Sequence, residues 1–458
     1  MLSFCRALAF LLLACIGCAA ESARPQGELI DQVWSGHPVS FAVLTERGHQ
    51  FIAYYDAARR LTVMGRKLGE DKWARVQPPG VPVPERGRDS NVTGWDSHNF
   101  LRLALDREGR LHLSGNLHID PLVYYRTRVP FDVNALERVD RMTGERETRC
   151  TYPVFFKNAA GDLFFRYRDG GSGNGSDLYN AYNPASRTWR RLLDTPLLDG
   201  QNQRNAYAID PVLGPDGYFH LVWMWRDTPD CSTNHTLSYA RSQDFLHWEN
   251  SRGEPLALPI TLATGEVIDA AGPREGLINM TFNLGFDAQK RPVVVYHRYD
   301  AQHRSQAFAA HPGVNGWAVK QISTWDFRWA FSGDGSIPAE VTLSAPRLMP
   351  DGNLAVDFST QSVGAGRWTL DGATLERIAQ LPPGPPVLPE ALARPSPGHA
   401  DMEVQTAVSR ANGRRWVLRW ETLPRNRDLP RDSAPPPTEL RLYEFPDTDA
   451  ASAARVGS

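Results

Sequence analysis

Hydrophobic and polar positions alternate along most of this chain with a period near two, and the alternation restarts seven times after a tight turn. The first four restarts read ERGHQFIAYYD around Gly48, DREGRLHLSGN around Gly109, NAAGDLFFRYRD around Gly161 and GPDGYFHLVWMW around Gly217. Three more follow: DAQKRPVVVYHRYD around Lys290, MPDGNLAVDFST around Gly352 and RANGRRWVLRWE around Gly413. Each places Asp, Asn or Gly in a turn and then β-branched and aromatic residues, the pattern of a β-hairpin. Successive turns lie 61, 52, 56, 73, 62 and 61 residues apart, and Trp-bearing strands recur at Trp73, Trp189, Trp248, Trp317 and Trp368. Helical periodicity is absent beyond the leader. Seven units of about four strands at this spacing predict an all-β, seven-bladed β-propeller forming one domain over 25–450. Two β-sandwiches would also give many short strands, but they account less well for the even spacing. The proline-rich stretch 381–397 reads as a connecting loop. The final TELRLYEF segment is expected to close the ring against the first unit.

The leader, MLSFCRALAFLLLACIGCAA, carries one Arg, an apolar run and then small residues, and reads as a signal peptide over 1–20. This predicts export to the periplasm or the extracellular space. Leu12-Leu13-Ala14-Cys15 resembles a lipoprotein cleavage box imperfectly, so a lipid-anchored form is the alternative. No later stretch approaches eighteen consecutive apolar residues, so no membrane span is expected.

Composition narrows the partners. The chain has 50 Lys+Arg against 52 Asp+Glu, a formal net charge of -2. Such balance argues against nucleic acid as a partner held by bulk electrostatics. An acidic polysaccharide or oligosaccharide met locally, by a monomer, is the expected partner. Basic character is skewed, with five Lys (67, 72, 157, 290 and 320) and the rest Arg. Arg holds planar carboxylates with a bidentate fork, although genome composition gives the same bias.

Polar-aromatic segments concentrate in the first half: GWDSHNF (His98), SGNLHIDPLVYYR (His118), RCTYPVFF (Tyr152), FFRYRDGGSGNG (Arg166, Arg168) and QNQRNAYAID (Tyr207). They flank adjacent hairpins, and equivalent positions on adjacent blades converge near a propeller axis. The run Gly170–Gly175 lacks the Lys-Ser/Thr and helix of a phosphate cradle, and reads as a loop that lets backbone approach a ligand. Two His, two Tyr and Arg, without a marked carboxylate pair, fit β-elimination on a uronate better than hydrolysis. Arg neutralises the uronate carboxylate, His or Tyr removes the C5 proton, and a Tyr hydroxyl protonates the leaving oxygen. A glycosidase is expected to place two carboxylates, and the spacing of Asp96 and Asp120 does not mark such a pair.

These segments resemble the BNR-4 type repeat-containing family, which includes seven-bladed ulvan lyases and rhamnose–glucuronate lyases. The resemblance rests, in order, on WDSHN, GNLH, TYP…FRYRDGGSGNG, RNAYA, WRDTPD…NH, EGLIN, PVVVYHRYD and RWAFSGDG, from about His37 to Gly335. It implies a polysaccharide lyase acting beside glucuronate or iduronate linked to rhamnose. It implies Tyr152 as base or acid, His98 as its partner and Arg168 as neutraliser. His118 and Tyr207, with Arg166, are then expected to bind substrate. No cofactor is expected to be required for catalysis.

Of five Cys, only Cys150 and Cys231 lie beyond the leader. His220, Cys231 and His235 suit a structural zinc, with His297 as one candidate fourth ligand. A Cys150–Cys231 disulfide or a free thiol is the alternative. Two other functions compete with the lyase: a non-catalytic glycan-binding propeller, and a sialidase-like hydrolase hinted at by the degenerate Asp box SQDFLHW (Ser242 to Trp248).

Overall fold

The structure is a computed structural model, described here for residues 26–384 and 386–447. The leader and the expectations attached to it lie outside the described residues. Within them no helix is long and apolar enough to cross a membrane.

Each of the seven turns read from the sequence opens a hairpin, and each hairpin belongs to a different antiparallel sheet of four or five strands. Gly48, Gly109, Gly161, Gly217, Lys290, Gly352 and Gly413 all have positive φ, between 63° and 86°. Glycine reaches that region without steric cost, which explains its use at six of the seven positions. An additional two-stranded sheet joins Pro82–Val83 to Arg88–Asp89.

Alternation along the strands then decides which sheets touch. In the fifth sheet, Val293 and Val295 of Pro292–Tyr299 pack with Val356 and Trp368 of the sixth. Val294 and Tyr296, one residue out of phase, pack with Val222 and Tyr239 of the fourth. The third and fourth sheets meet through Phe164, Tyr179, Trp223 and Trp225. A larger cluster joins the first three sheets to Trp416, Leu418 and Trp420 of the seventh. Period-two patterning with both faces apolar thus lets each sheet serve two neighbours.

The proline-rich connection has a structural task beyond linking strands. Its Leu388 and Leu392 pack on Val417 and Tyr443, covering a face of the seventh sheet.

The closing strand corrects one expectation. Thr438–Pro446, which contains TELRLYEF, does not add to the first sheet. It lies inside the seventh sheet, and the N-terminal strand Glu28–Val33 pairs with it along its outer edge, Leu29 opposite Arg441. The first and last described strands therefore share one sheet, which pairs the edge of Thr438–Pro446 that would otherwise be open.

The turns give a direct test. At Gly413 an added Cβ meets nothing within 4 Å, so Gly413→Ala pays only for left-handed backbone. At Gly109 the Cβ also meets the Phe131 ring at 2.3 Å. Urea unfolding is expected to show losses of about 1–2 kcal/mol for Gly413→Ala and about 2–4 kcal/mol for Gly109→Ala.

Candidate active site

The site begins where the chain leaves the second sheet. His118–Asp120 lies between two strands of that sheet in sequence, yet it pairs with Cys150–Lys157 of the third. His118 stands opposite Thr151, and Thr151 opposite Arg168, so one row across three strands carries His118, Thr151 and Arg168. The register shifts between Thr151 and Val154, and Tyr152 has φ of 57°. A bulge of this kind re-aims a side chain out of strict alternation. Here it turns the Tyr152 ring to within 4.9 Å of the Arg168 guanidinium and 6.3 Å of the Tyr207 ring.

His98 arrives from a single 3-10 turn, Ser97–Asn99, capped by Asp96. The Asp96 Oδ1 atom accepts from the His98 backbone N–H at 2.8 Å and from His98 Nδ1 at 2.7 Å. Its Oδ2 atom accepts from His118 Nδ1 at 2.5 Å. The two imidazoles stack with centroids 3.9 Å apart. A carboxylate only accepts, so His98 Nδ1 carries a proton, and in the neutral imidazole Nε2 offers its lone pair to the Tyr152 hydroxyl, 3.1 Å away. The result is a Tyr–His–Asp relay.

Environment separates the protonation states. Burial by itself would raise the Asp96 carboxyl, but the hydrogen bonds from His118 and His98 outweigh it and hold the group well below the carboxylate range. Burial lowers His118 against the pull of Asp96. Burial and the neighbouring Tyr207 push the Tyr152 phenol up to about 12, with Arg168 and Arg226 opposing. Burial also raises Tyr207, but Arg226, Arg168 and the Ser172 hydroxyl outweigh it, so that phenol lies below its ordinary value.

His98, His118, Tyr152, Arg168 and Tyr207 all line one cleft of about 580 Å³. The glycine-rich turn contributes Gly171, Ser172 and Asn174 to its wall, and Ser172 Oγ lies 2.7 Å from the Tyr207 hydroxyl. Gly175 cannot carry a Cβ there, which would sit 2.6 Å from the Arg168 side chain and 2.5 Å from Asn205. Arg166 is placed apart. It lies two residues from Arg168, about 7 Å along the strand, with its Nε on Asp177 at 2.9 Å. It lines a smaller cavity of about 230 Å³ that Tyr152, Arg168 and Tyr207 also border.

The zinc expectation is not met. His220 pairs across the ladder with Arg241, whereas His235 pairs with Trp225, five residues further along the same strand. That separates the two histidines by about 16 Å of strand. His220 is instead bonded to Tyr239 and Asp216, and His235 to Asp227. His297 Nδ1 donates to the Gly276 carbonyl at 2.7 Å. Cys150 and Cys231 are both buried and free, so no disulfide joins them, and burial raises both thiols away from the thiolate a metal needs. Among the described residues, the group of three ligand-type side chains that does come within 4.8 Å of one another is Asp96, His98 and His118. In that group each Nδ1 already donates to the carboxylate.

Two cleft residues escaped the sequence reading. Arg226, from Phe219–Arg226, lies 4.1 Å over the Tyr207 ring and donates to its hydroxyl at 3.3 Å. It belongs to WRDTPD, one of the segments that carry the family resemblance, where nothing local marks the guanidinium. Asp428 comes from the segment between the last two strands, which reads as a Pro/Arg-rich linker. Its Oδ1 accepts from the Ser97 N–H at 3.0 Å and from buried His37 Nε2 at 2.9 Å. Its Oδ2 accepts from the Ser336 N–H at 3.1 Å and lies 3.7 Å from His98 Nδ1. One carboxylate thus ties three distant loops around the turn that carries His98.

Burial would raise Asp428, but His37, the Ser97 N–H and His98 draw it down to about 2. A folded value below the unfolded one stabilises the fold above the unfolded value, and the gain is lost as pH falls through the folded value. Asp428→Asn is therefore expected to cost about 2 kcal/mol at pH 7, with the gap to the parent closing as pH falls from 4 towards 2 in denaturant titrations.

Comparison with known proteins agrees with this picture at the level of fold. Over 134 residues the chain is 27% identical to the long isoform of ulvan lyase from Alteromonas sp. (strain LOR). That stretch covers 26% of this chain and only 13% of the relative. A solved polysaccharide lyase PL25 ulvan lyase is similar with a TM-score of 0.59 at 14% identity, covering 92% of this chain and 96% of that one. A PL25 ulvan lyase structure bound to -[GlcA(1-4)Rha3S]- gives the same values. Polysaccharide lyase Uly1 is similar with a TM-score of 0.56 at 14% identity, covering 94% and 95%. Residues 49–325 match the profile described as a BNR repeat-containing family member, more than half of the chain. With four of the seven turns lying inside that match, each on its own sheet, the chain belongs to the BNR repeat-containing family.

Proposed function

We propose that this protein is a polysaccharide lyase that cleaves beside a uronate, glucuronate or iduronate linked to rhamnose, by β-elimination. The observation that carries the reading is the Tyr152 hydroxyl, held 3.1 Å from His98 Nε2 beside a buried guanidinium, Arg168. Arg168 donates to the Gly170 carbonyl and the Thr151 hydroxyl, and forms no ion pair with a carboxylate among the described residues. Its charge is therefore available to a uronate.

In this reading Arg168 binds the uronate carboxylate and stabilises the negative charge that grows there as the C5 proton leaves. His98 Nε2 takes that proton. The C5 electron pair forms the C4–C5 double bond, and the C4–O4 bond breaks. Tyr152, raised to about 12 and so protonated at neutral pH, delivers its proton to O4. The imidazolium then returns a proton to the phenolate across the 3.1 Å contact, which resets both groups. Asp96 stabilises the imidazolium, while His118 and Tyr207 position the sugar. Arg166, engaged by Asp177, supports the wall behind them.

Hydrolysis fits less well. Asp96 is shared by two imidazoles and Asp428 carries three hydrogen bonds, so neither is free to act as a glycosidase acid or base. The Asp-box segment is a turn in which Ser242 and Asp244 accept backbone N–H groups above buried Trp248. We further read the seven sheets as blades of one propeller, spanning 25–450 as a single domain. The ulvan lyase fold and the succession of sheet-to-sheet contacts support this reading.

Ulvan and gum-arabic side chains are the substrates to try. Cleavage is expected to release an unsaturated uronate that absorbs in the ultraviolet. Arg168→Ala and Tyr152→Phe should each lower kcat/KM by at least about a thousandfold while leaving the thermal melt within a few degrees. A broad uronate panel that yields no such product would overturn the lyase reading, and saturable binding without cleavage would replace it with a glycan-binding propeller.

A further inference from the structure

Alternation along the seventh sheet gives it one apolar face and one charged face. Trp416, Leu418 and Trp420 of Arg414–Thr422, with Leu440 and Leu442 of Thr438–Pro446, belong to the core. The intervening positions carry Arg419, Glu421, Glu439, Arg441 and Tyr443 on the opposite face. Arg419 stands directly opposite Arg441 across the ladder, and Gln32 opposite Glu439. Like charges so placed repel, and here each guanidinium holds a carboxylate on its own strand. Arg419 pairs with Glu421 at 2.6 Å and Arg441 with Glu439 at 2.7 Å.

The proline-rich connection lies over this face. Its Leu392 and Arg394 carbonyls accept from Arg419, while its Ser396 and His399 side chains bond to Glu421. Between connection and sheet lies a cavity of about 520 Å³, within the roughly 300–1,000 Å³ of small-molecule sites. None of its lining residues lines the catalytic cleft.

The walls offer uncommitted hydrogen-bonding groups of both kinds. Arg419 is only 5% exposed, with Nε and one terminal nitrogen taken by Leu392, Arg394 and Glu421. Its other terminal nitrogen, Nη1, has no partner among the described residues. His399 Nδ1 donates to Glu421 at 3.0 Å, so in the neutral ring Nε2 is left as an acceptor. An anion entering here meets Glu421 and Glu439, and a cation meets Arg419 and Arg441. An apolar ligand strips water from all four. A neutral polyol donates and accepts through the same hydroxyls and leaves both ion pairs intact.

We propose that this cavity is a second carbohydrate site that takes a neutral glycosyl unit, Arg419 Nη1 donating to its hydroxyls and His399 Nε2 accepting from them. The site is separate from the catalytic residues and does not depend on the lyase reading.

Calorimetric titration of the protein with L-rhamnose, D-galactose, L-arabinose and D-xylose, and with neutral di- and trisaccharides of each, tests it. At least one of these sugars should bind saturably, and His399→Ala should weaken it about tenfold or more. Gln32 lines the cavity from an exposed position, and its side chain makes no hydrogen bond among the described residues. Gln32→Trp should therefore fill the cavity and abolish binding without disturbing the fold, even if His399→Ala loosens the connection. Glucuronate should not displace the bound sugar. A panel in which no neutral sugar binds, or binding that survives Gln32→Trp, would overturn the site. Displacement by glucuronate would refute it as well, by placing the sugar in the catalytic cleft or by showing that the cavity accepts an anion.

Discussion

The carboxylate of Asp96 is the fixed point of the site. It caps the turn that presents His98, orients both imidazoles through their Nδ1 atoms and stays ionised because those contacts outweigh its burial. Everything downstream follows from that orientation. With Nδ1 occupied, His98 Nε2 faces the Tyr152 hydroxyl, and a phenol that burial makes a weak acid gains a partner with which to exchange a proton. Asp428 adds a second negative charge behind the same imidazole while binding loops from three parts of the chain.

Charge is distributed locally rather than globally. A net charge of -2 sets up no strong overall field, and most buried guanidiniums among the described residues are neutralised inside the protein. Arg168 and Arg226, which meet no carboxylate among the described residues, line one cleft together with Tyr152 and Tyr207. Low-dielectric surroundings make each such charge count for more than it would at the surface. An acidic polymer would therefore be recognised at a point, by matching charges, and not by attraction from a distance.

Repetition builds the frame cheaply. Each hairpin needs one left-handed turn residue and strands apolar on both faces, and each sheet then packs on its neighbours in chain order. Function uses the departures from this rule. His118 leaves its own sheet to pair with the next, Tyr152 sits on a bulge, and the glycine-rich turn gives up Cβ atoms so that Arg168 can lie close to backbone.

By itself the sequence determined the hairpins, their number and the cluster of His98, His118, Tyr152, Arg168 and Tyr207, because turn chemistry, period-two patterning and strand-end aromatics are local properties of the chain. It could not separate Arg166 from Arg168, since two positions on one face of a strand look alike until the neighbouring carboxylate, Asp177, is in place. It grouped His220, Cys231 and His235 by proximity in sequence, whereas strand extension carries the two histidines apart. It passed over Asp428, 331 residues from Ser97, and Arg226, which meets the Tyr207 ring from a neighbouring strand. Those features are relations between distant segments, and only the tertiary structure, by deciding which charges meet and which are left for a ligand, brings them into being.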